Sequence, residues 1–255
     1  MNQTNLKPMY LLESFLFFGI PGILLYFNIY YGIPYLDSKG IPLIVSFPLA
    51  LYGLLGLLFF ASLIAFKVEG NKSSIEALVS RFRLQGLNRK LWIISIGTFI
   101  LITILEEFLK ITGEYLAKTT FFAPPDILPE FIDPNKMLEF PLSEFMGVPL
   151  EGNWWIILIW LGCLLCNILG EEFWWRGYIL PRQELAFGKS AWVIHGALWL
   201  LFFHAFLKWN YIVLIPTCFI IPFLAQKYKS TWIAAVIHGI GNGLFFAFII
   251  PGIFR

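Results

Sequence analysis

Long apolar runs alternate with short polar joints along the whole chain. Seven such runs, near 10–31, 42–66, 91–112, 154–175, 190–207, 211–225 and 231–250, are candidates for membrane crossings. About 20 apolar residues in a helix cover the hydrocarbon core. The pattern therefore predicts an all-α, polytopic transmembrane helical bundle of about seven spans. The first run is too long for a signal-peptide core and lacks a small-residue cleavage site after it, so it reads as an uncleaved span. The fifth and sixth runs lie close together. Pro216 and Pro222 inside the sixth predict a tilt or kink there, because proline removes a backbone donor. Between the second and third runs, SSIEALVSRFRLQGL predicts a short amphipathic helix on the inner membrane surface. The acidic, proline-rich stretch before the fourth run predicts an irregular, exposed loop.

Composition agrees with this pattern. The chain of 255 residues is 58% hydrophobic and 13% charged, with a mean hydropathy of +0.75, against about 25% charge in a soluble domain. No separate soluble domain fits. The chain divides into N-terminal transmembrane helices (1–120), an extracytoplasmic loop (121–153) and a C-terminal helical core (154–250). The net charge of +2 comes without a basic stripe, so nucleic acid is not an expected partner. Lys and Arg in the joints set the orientation. With the N-terminus cytoplasmic, twelve of the 18 fall inside. That predicts an integral membrane protein with a cytoplasmic N-terminus, of a length that fits a prokaryotic plasma membrane. Cys163 and Cys166 have CxxC spacing, but within an apolar run they read as small helix residues.

Ionisable side chains inside spans are costly and mark cavities or partners. They are few in this chain: Glu106 and Glu107, Glu171 and Glu172 with Arg176, and all three histidines, His195, His204 and His238, the last with Asn242. Glu172 and Arg176, four apart with the acid first, share a helix face. Glu171 lies about 100° around from Glu172, so the arginine can neutralise one carboxylate while the other points elsewhere. Asn167 shares the face of Glu171. A turn at Gly188 would fold the fourth and fifth runs into a hairpin that brings Glu171 and His204 to similar depth. His195, half a turn out of phase with His204, then faces the other way and reads as structural. His238 and Asn242 share a face among Gly239, Gly241 and Gly243, which reads as close helix packing around a polar site. Glu106 and Glu107 read as a charged collar at a helix end.

A carboxylate, two histidines and an amide on three helices suffice to hydrolyse an amide. Glu171, His204 and His238 would also be the ligands if zinc were present, although the HExxH signature is absent.

These residues carry a resemblance. EEFWWRGYILPRQ resembles the EExxxR motif of the CPBP family, the CAAX proteases and bacteriocin-processing (Abi) enzymes, also called type II CAAX prenyl endopeptidases. LWLLFFHAF is similar to the family's FxxxH, with Leu200 where the aromatic stands, and HGIGN matches HxxxN. The resemblance covers about 154–248, which makes 154–250 a CPBP-type catalytic core. It implies an intramembrane endopeptidase in which Glu171 activates water with help from His204. Glu172 and Arg176 support that pair, and His238 and Asn242 bind the oxyanion. A metal-free glutamic protease is the favoured form, with no cofactor. The implied partners are membrane lipid and a peptide or lipidated protein substrate within the membrane, including prenylated CAAX-type ends. A catalytically silent member acting as a membrane binding or immunity protein is the alternative. A proton-relay transporter would be expected to show inverted repeats, and the sequence has none.

Overall fold

The computed structural model describes residues 6–136, 138 and 140–255. Residues 1–5 of the expected N-terminal part, and Met137 and Glu139 of the expected loop, lie outside them. The described residues form an all-α bundle whose only strands are a two-residue pair, Glu144–Phe145 against Val148–Pro149.

Five helical stretches are long and apolar enough to cross a membrane, against the seven expected. Three of them are α1 (Leu11–Ser38), α2 (Leu43–Val68) and α4 (Arg89–Ala117). The fourth, Trp155–Leu201, is a hairpin of two limbs, which we label α5 (155–187) and α6 (Ala191–Leu201). The fifth is α8 (Thr231–Ile253). The runs expected near 190–207 and 211–225 give only α6, of 11 residues, and α7 (Ile215–Tyr228), of 14.

The shortfall has a local cause. Helical φ/ψ is lost at His204 and Leu207, and the chain passes through tight 3₁₀ turns over Phe203–Asn210. Non-helical backbone is tolerated at membrane depth where protein or a cavity surrounds it. This segment packs against α1, α4 and α6. The hairpin turn is at Gly188, whose φ of +57° suits a residue without a Cβ.

The short helix expected between the second and third runs is α3 (Ile75–Arg81), capped by Ser74, whose hydroxyl accepts from the Ala77 N–H at 3.2 Å. The loop before α5 is irregular but not merely exposed. Leu128, Leu142, Phe145 and Leu150 are buried, and Phe131 packs on Phe145, Trp160 and Phe245. Enough aromatic surface in that loop outweighs its prolines and charges. Large apolar side chains such as Leu12, Ile64, Phe108 and Ile111 stand exposed along α1, α2 and α4, as a surface facing lipid rather than water requires.

Close approach in the core relies on glycine. A Cβ at Gly170 would collide with the carbonyl of Leu55, so α2 sits directly against the residue before Glu171. The glycines around His238 differ from expectation. A Cβ at Gly239, Gly241 or Gly243 would come no closer than 3.7–3.9 Å to its neighbours, which is ordinary contact. Gly241 instead lines a cavity.

Candidate active site

The second part of EEFWWRG leaves α-helical geometry. Glu172–Ile179 winds as a π-helix inside α5, a form often found at functional sites. Pro181 follows it and has no N–H for the Gly177 carbonyl one turn back. Arg81 of α3 supplies that donor, with Nη1 at 2.8 Å from Gly177 O and Nη2 at 3.3 Å from Tyr178 O. The same guanidinium grips Glu69 in a fork at 2.6 and 2.8 Å. Stacking of Phe18 on Trp175, centroids 4.3 Å apart, holds the π segment against α1.

The wide turn presents the two carboxylates differently. Glu171 is buried; its Oε1 accepts from Asn167 Nδ2 at 3.1 Å and its Oε2 from Trp199 Nε1 at 3.0 Å. Glu172 turns to Arg176, whose Nη1 is 3.3 Å from Glu172 Oε1, and to His238, whose Nδ1 is 3.0 Å from the same oxygen. Arg176 is fully enclosed, with its guanidinium 3.6 Å from the centre of the Trp199 ring. The positive charge is thus met by a carboxylate at its edge and a π face below.

His204 lies just beyond α6. Its Nδ1 is 3.0 Å from the Trp199 carbonyl and 3.6 Å from Cys218 Sγ. A carbonyl only accepts, so Nδ1 carries the proton and Nε2 is left as the basic nitrogen of the neutral ring. Asn242 Nδ2 donates to Asn167 Oδ1 at 2.9 Å, and Asn167 in turn donates to Glu171. The polar residues of three elements therefore join in one connected network, with Trp199 at its centre.

Asn167, Glu171, Trp199, His204, His238 and Asn242 all line one cavity of about 550 Å³. Phe131 and Ile132 of the loop help close it. His195 is elsewhere: it is buried against Phe18, with Nδ1 2.7 Å from Gln183 Oε1. Glu171 and His204 are brought together around Trp199 without a direct hydrogen bond between them. In the sequence Trp199 is legible only as one more aromatic near His204. Among the described residues, no three His, Cys, Asp or Glu side chains are grouped to hold a metal ion.

Glu106 departs from the collar reading. It sits inside α4, accepts from Thr217 Oγ1 at 2.6 Å, and lines the same cavity. Glu107 alone is exposed, 3.7 Å from Lys110.

Residues 153–244 match the family model for the type II CAAX prenyl endopeptidase Rce1-like proteins. That span holds both carboxylates, Arg176, His204, His238 and Asn242. This part of the chain is similar to the Rce1-like domain. The matched residues include both motifs, EEFWWRG and HGIGN, and the family that the model describes is one of type II CAAX prenyl endopeptidases. No curated protein and no solved structure matches the chain.

Proposed function

We propose that the Rce1-like domain is an intramembrane endopeptidase that cuts membrane-associated substrates, prenylated CAAX-type ends among them, by glutamate-activated water. The observation that carries this reading is Glu171, a buried carboxylate facing a cavity that it shares with His204, His238 and Asn242. Each carboxylate oxygen accepts one N–H and keeps a lone pair for a water proton. Glu171 takes the proton from water as water attacks the scissile carbonyl. His204, through Nε2, orients that water and shares the proton.

Negative charge then grows on the carbonyl oxygen. His238 and Asn242 are the donors assigned to it. With Nδ1 on Glu172, a ring that also donates from Nε2 is the imidazolium, and Glu172 balances it. Asn242 rotates one amide hydrogen toward the oxyanion while it stays near Asn167. Collapse of the intermediate breaks the C–N bond, and the proton held by Glu171 passes to the leaving amine. An amide donor or cation at a developing oxyanion supplies roughly 10²–10³-fold in rate, and the acid–base pair roughly 10²–10⁴. No metal takes part in this scheme. Arg176 stays on the Trp199 ring and fixes the position of Glu172.

The test is cleavage of membrane-tethered peptides, farnesylated CAAX peptides included, by the protein in liposomes. Wild type and His195→Ala are expected to cut, Glu171→Ala is not, and a chelator leaves the wild-type rate unchanged. Equal loss in Glu171→Ala and His195→Ala would contradict the separate roles of these two residues. Absence of cleavage by wild type would favour the silent binding member, and loss on chelation with rescue by zinc would overturn the metal-free scheme.

A further inference from the structure

Glu106 is outside the matched domain and outside the water-activating network, yet it faces the same chamber. Its carboxylate is fixed from the neighbouring helix by the Thr217 hydroxyl on Oε1. Among the described residues no lysine, arginine or histidine lies within ion-pairing distance of it. The described lining of the cavity contains two carboxylates, Glu106 and Glu171, two histidines, His204 and His238, and no Lys or Arg; His238 is paired with Glu172 and lies beyond ion-pairing distance of Glu106. On the helix of Glu106 the cavity is lined by Phe99, Ile102 and Thr103, and on the facing helix side by Leu214 and Thr217. A low-dielectric wall strengthens the field of the charge it surrounds.

We propose that Glu106, positioned by Thr217, is a specificity-determining residue that selects substrate segments with a lysine or arginine side chain near the bond to be cut. An acidic side chain at the same place is disfavoured. This inference rests on the peptidase reading for the identity of the chamber's occupant. A lysine or arginine stem can lie along the apolar wall and bring its head to Glu106, while Glu171 stays bound to Asn167 and Trp199. A role limited to clamping α4 to α7 is a different matter, since that needs the hydrogen bond to Thr217 and not the charge.

The two roles separate in Glu106→Gln, which keeps the acceptor oxygen and loses the charge. Binding is measured in nanodiscs on a Glu171→Gln background, so no turnover is needed. The probes are apolar membrane-soluble peptides, each with one lysine at successive positions, paired with an Nε-acetyl-lysine twin. At one or more positions the lysine peptide is expected to bind about tenfold tighter than its twin, a difference of about 1.4 kcal/mol. That ratio falls to near one in Glu106→Gln and stays high in Thr217→Ser. No lysine preference at any position, or the same preference in Glu106→Gln, overturns the proposal. Cleavage of the same peptides by the protein with Glu171 intact reads the peptidase separately. Lysine preference without cleavage overturns the peptidase alone, and cleavage without lysine preference overturns the role of Glu106 alone.

Discussion

Trp199 combines three contacts in one residue. Its N–H donates to Glu171, its face carries Arg176, and its carbonyl fixes the tautomer of His204. Trp199→Phe keeps an aromatic ring and the carbonyl and removes the indole donor. A hydrogen bond to a charged group contributes about 1.5–3 kcal/mol, so kcat is expected to fall about 10- to 100-fold with KM little changed. A change in KM alone would assign Trp199 to substrate binding. The other partners at this scale are easier to read. Glu171, Glu172, Arg176, His204, His238 and Asn242 stand out because lipid-length runs almost never carry such groups. Trp199 does not stand out among 10 tryptophans, because nothing in one sequence separates an indole that donates to a carboxylate from one that fills space. Glu106 escapes a sequence reading for a reason of depth. With the third run ended near 112, it falls close to a helix end, whereas α4 continues to Ala117 and carries it inside.

Helix packing decides where these side chains stand. In a bilayer the helices gain little from excluding water, so close steric fit holds them together. At Gly170 the backbone of α2 lies directly against α5, and a methyl there meets backbone, which cannot rotate away. Gly170→Ala is expected to destabilise the protein by about 1–3 kcal/mol and to depress activity by displacing Glu171. Gly239→Ala meets only ordinary contact and is expected to be neutral, or stabilising by up to about 1 kcal/mol. Thermal melting of both variants in detergent checks the contrast, and equal destabilisation would contradict it. The glycine-rich sequence around His238 invites the opposite expectation, because glycine content alone does not say which neighbour comes close. Period and apolar length make α1, α2, α4 and the first limb of the hairpin legible. They do not reveal the π turn after Glu171, whose Gly177 carbonyl is met by Arg81 from a helix distant in sequence. Nor do they reveal the break at His204, where apolar residues continue through non-helical backbone.

Over the whole molecule, polar joints gather at two ends. At one, Arg182 donates to the Lys7 carbonyl, and Arg83 and Lys229 both pair with Glu184. At the other, Lys208 lies 4.8 Å from the centre of the Tyr30 ring, and Tyr30 donates to the Ala123 carbonyl. Basic groups dominate the first end, so we propose that it faces the cytoplasm, with the N-terminus there. A cysteine placed at Lys229 is then expected to resist a membrane-impermeant thiol reagent in intact cells, and one at Lys136 to react; the reverse pattern would invert the topology. In this frame the Glu171 carboxylate lies between the two ends, and Phe131 and Ile132 of the loop line its chamber. The most direct test is the rate at which Glu171→Gln, beside wild type, cuts the best peptide in liposomes under single-turnover conditions. Loss of the general base predicts a fall of about 10²–10⁴-fold with the protein still folded and still binding the peptide. A Glu171→Gln rate within a few-fold of wild type would show that another group activates the water.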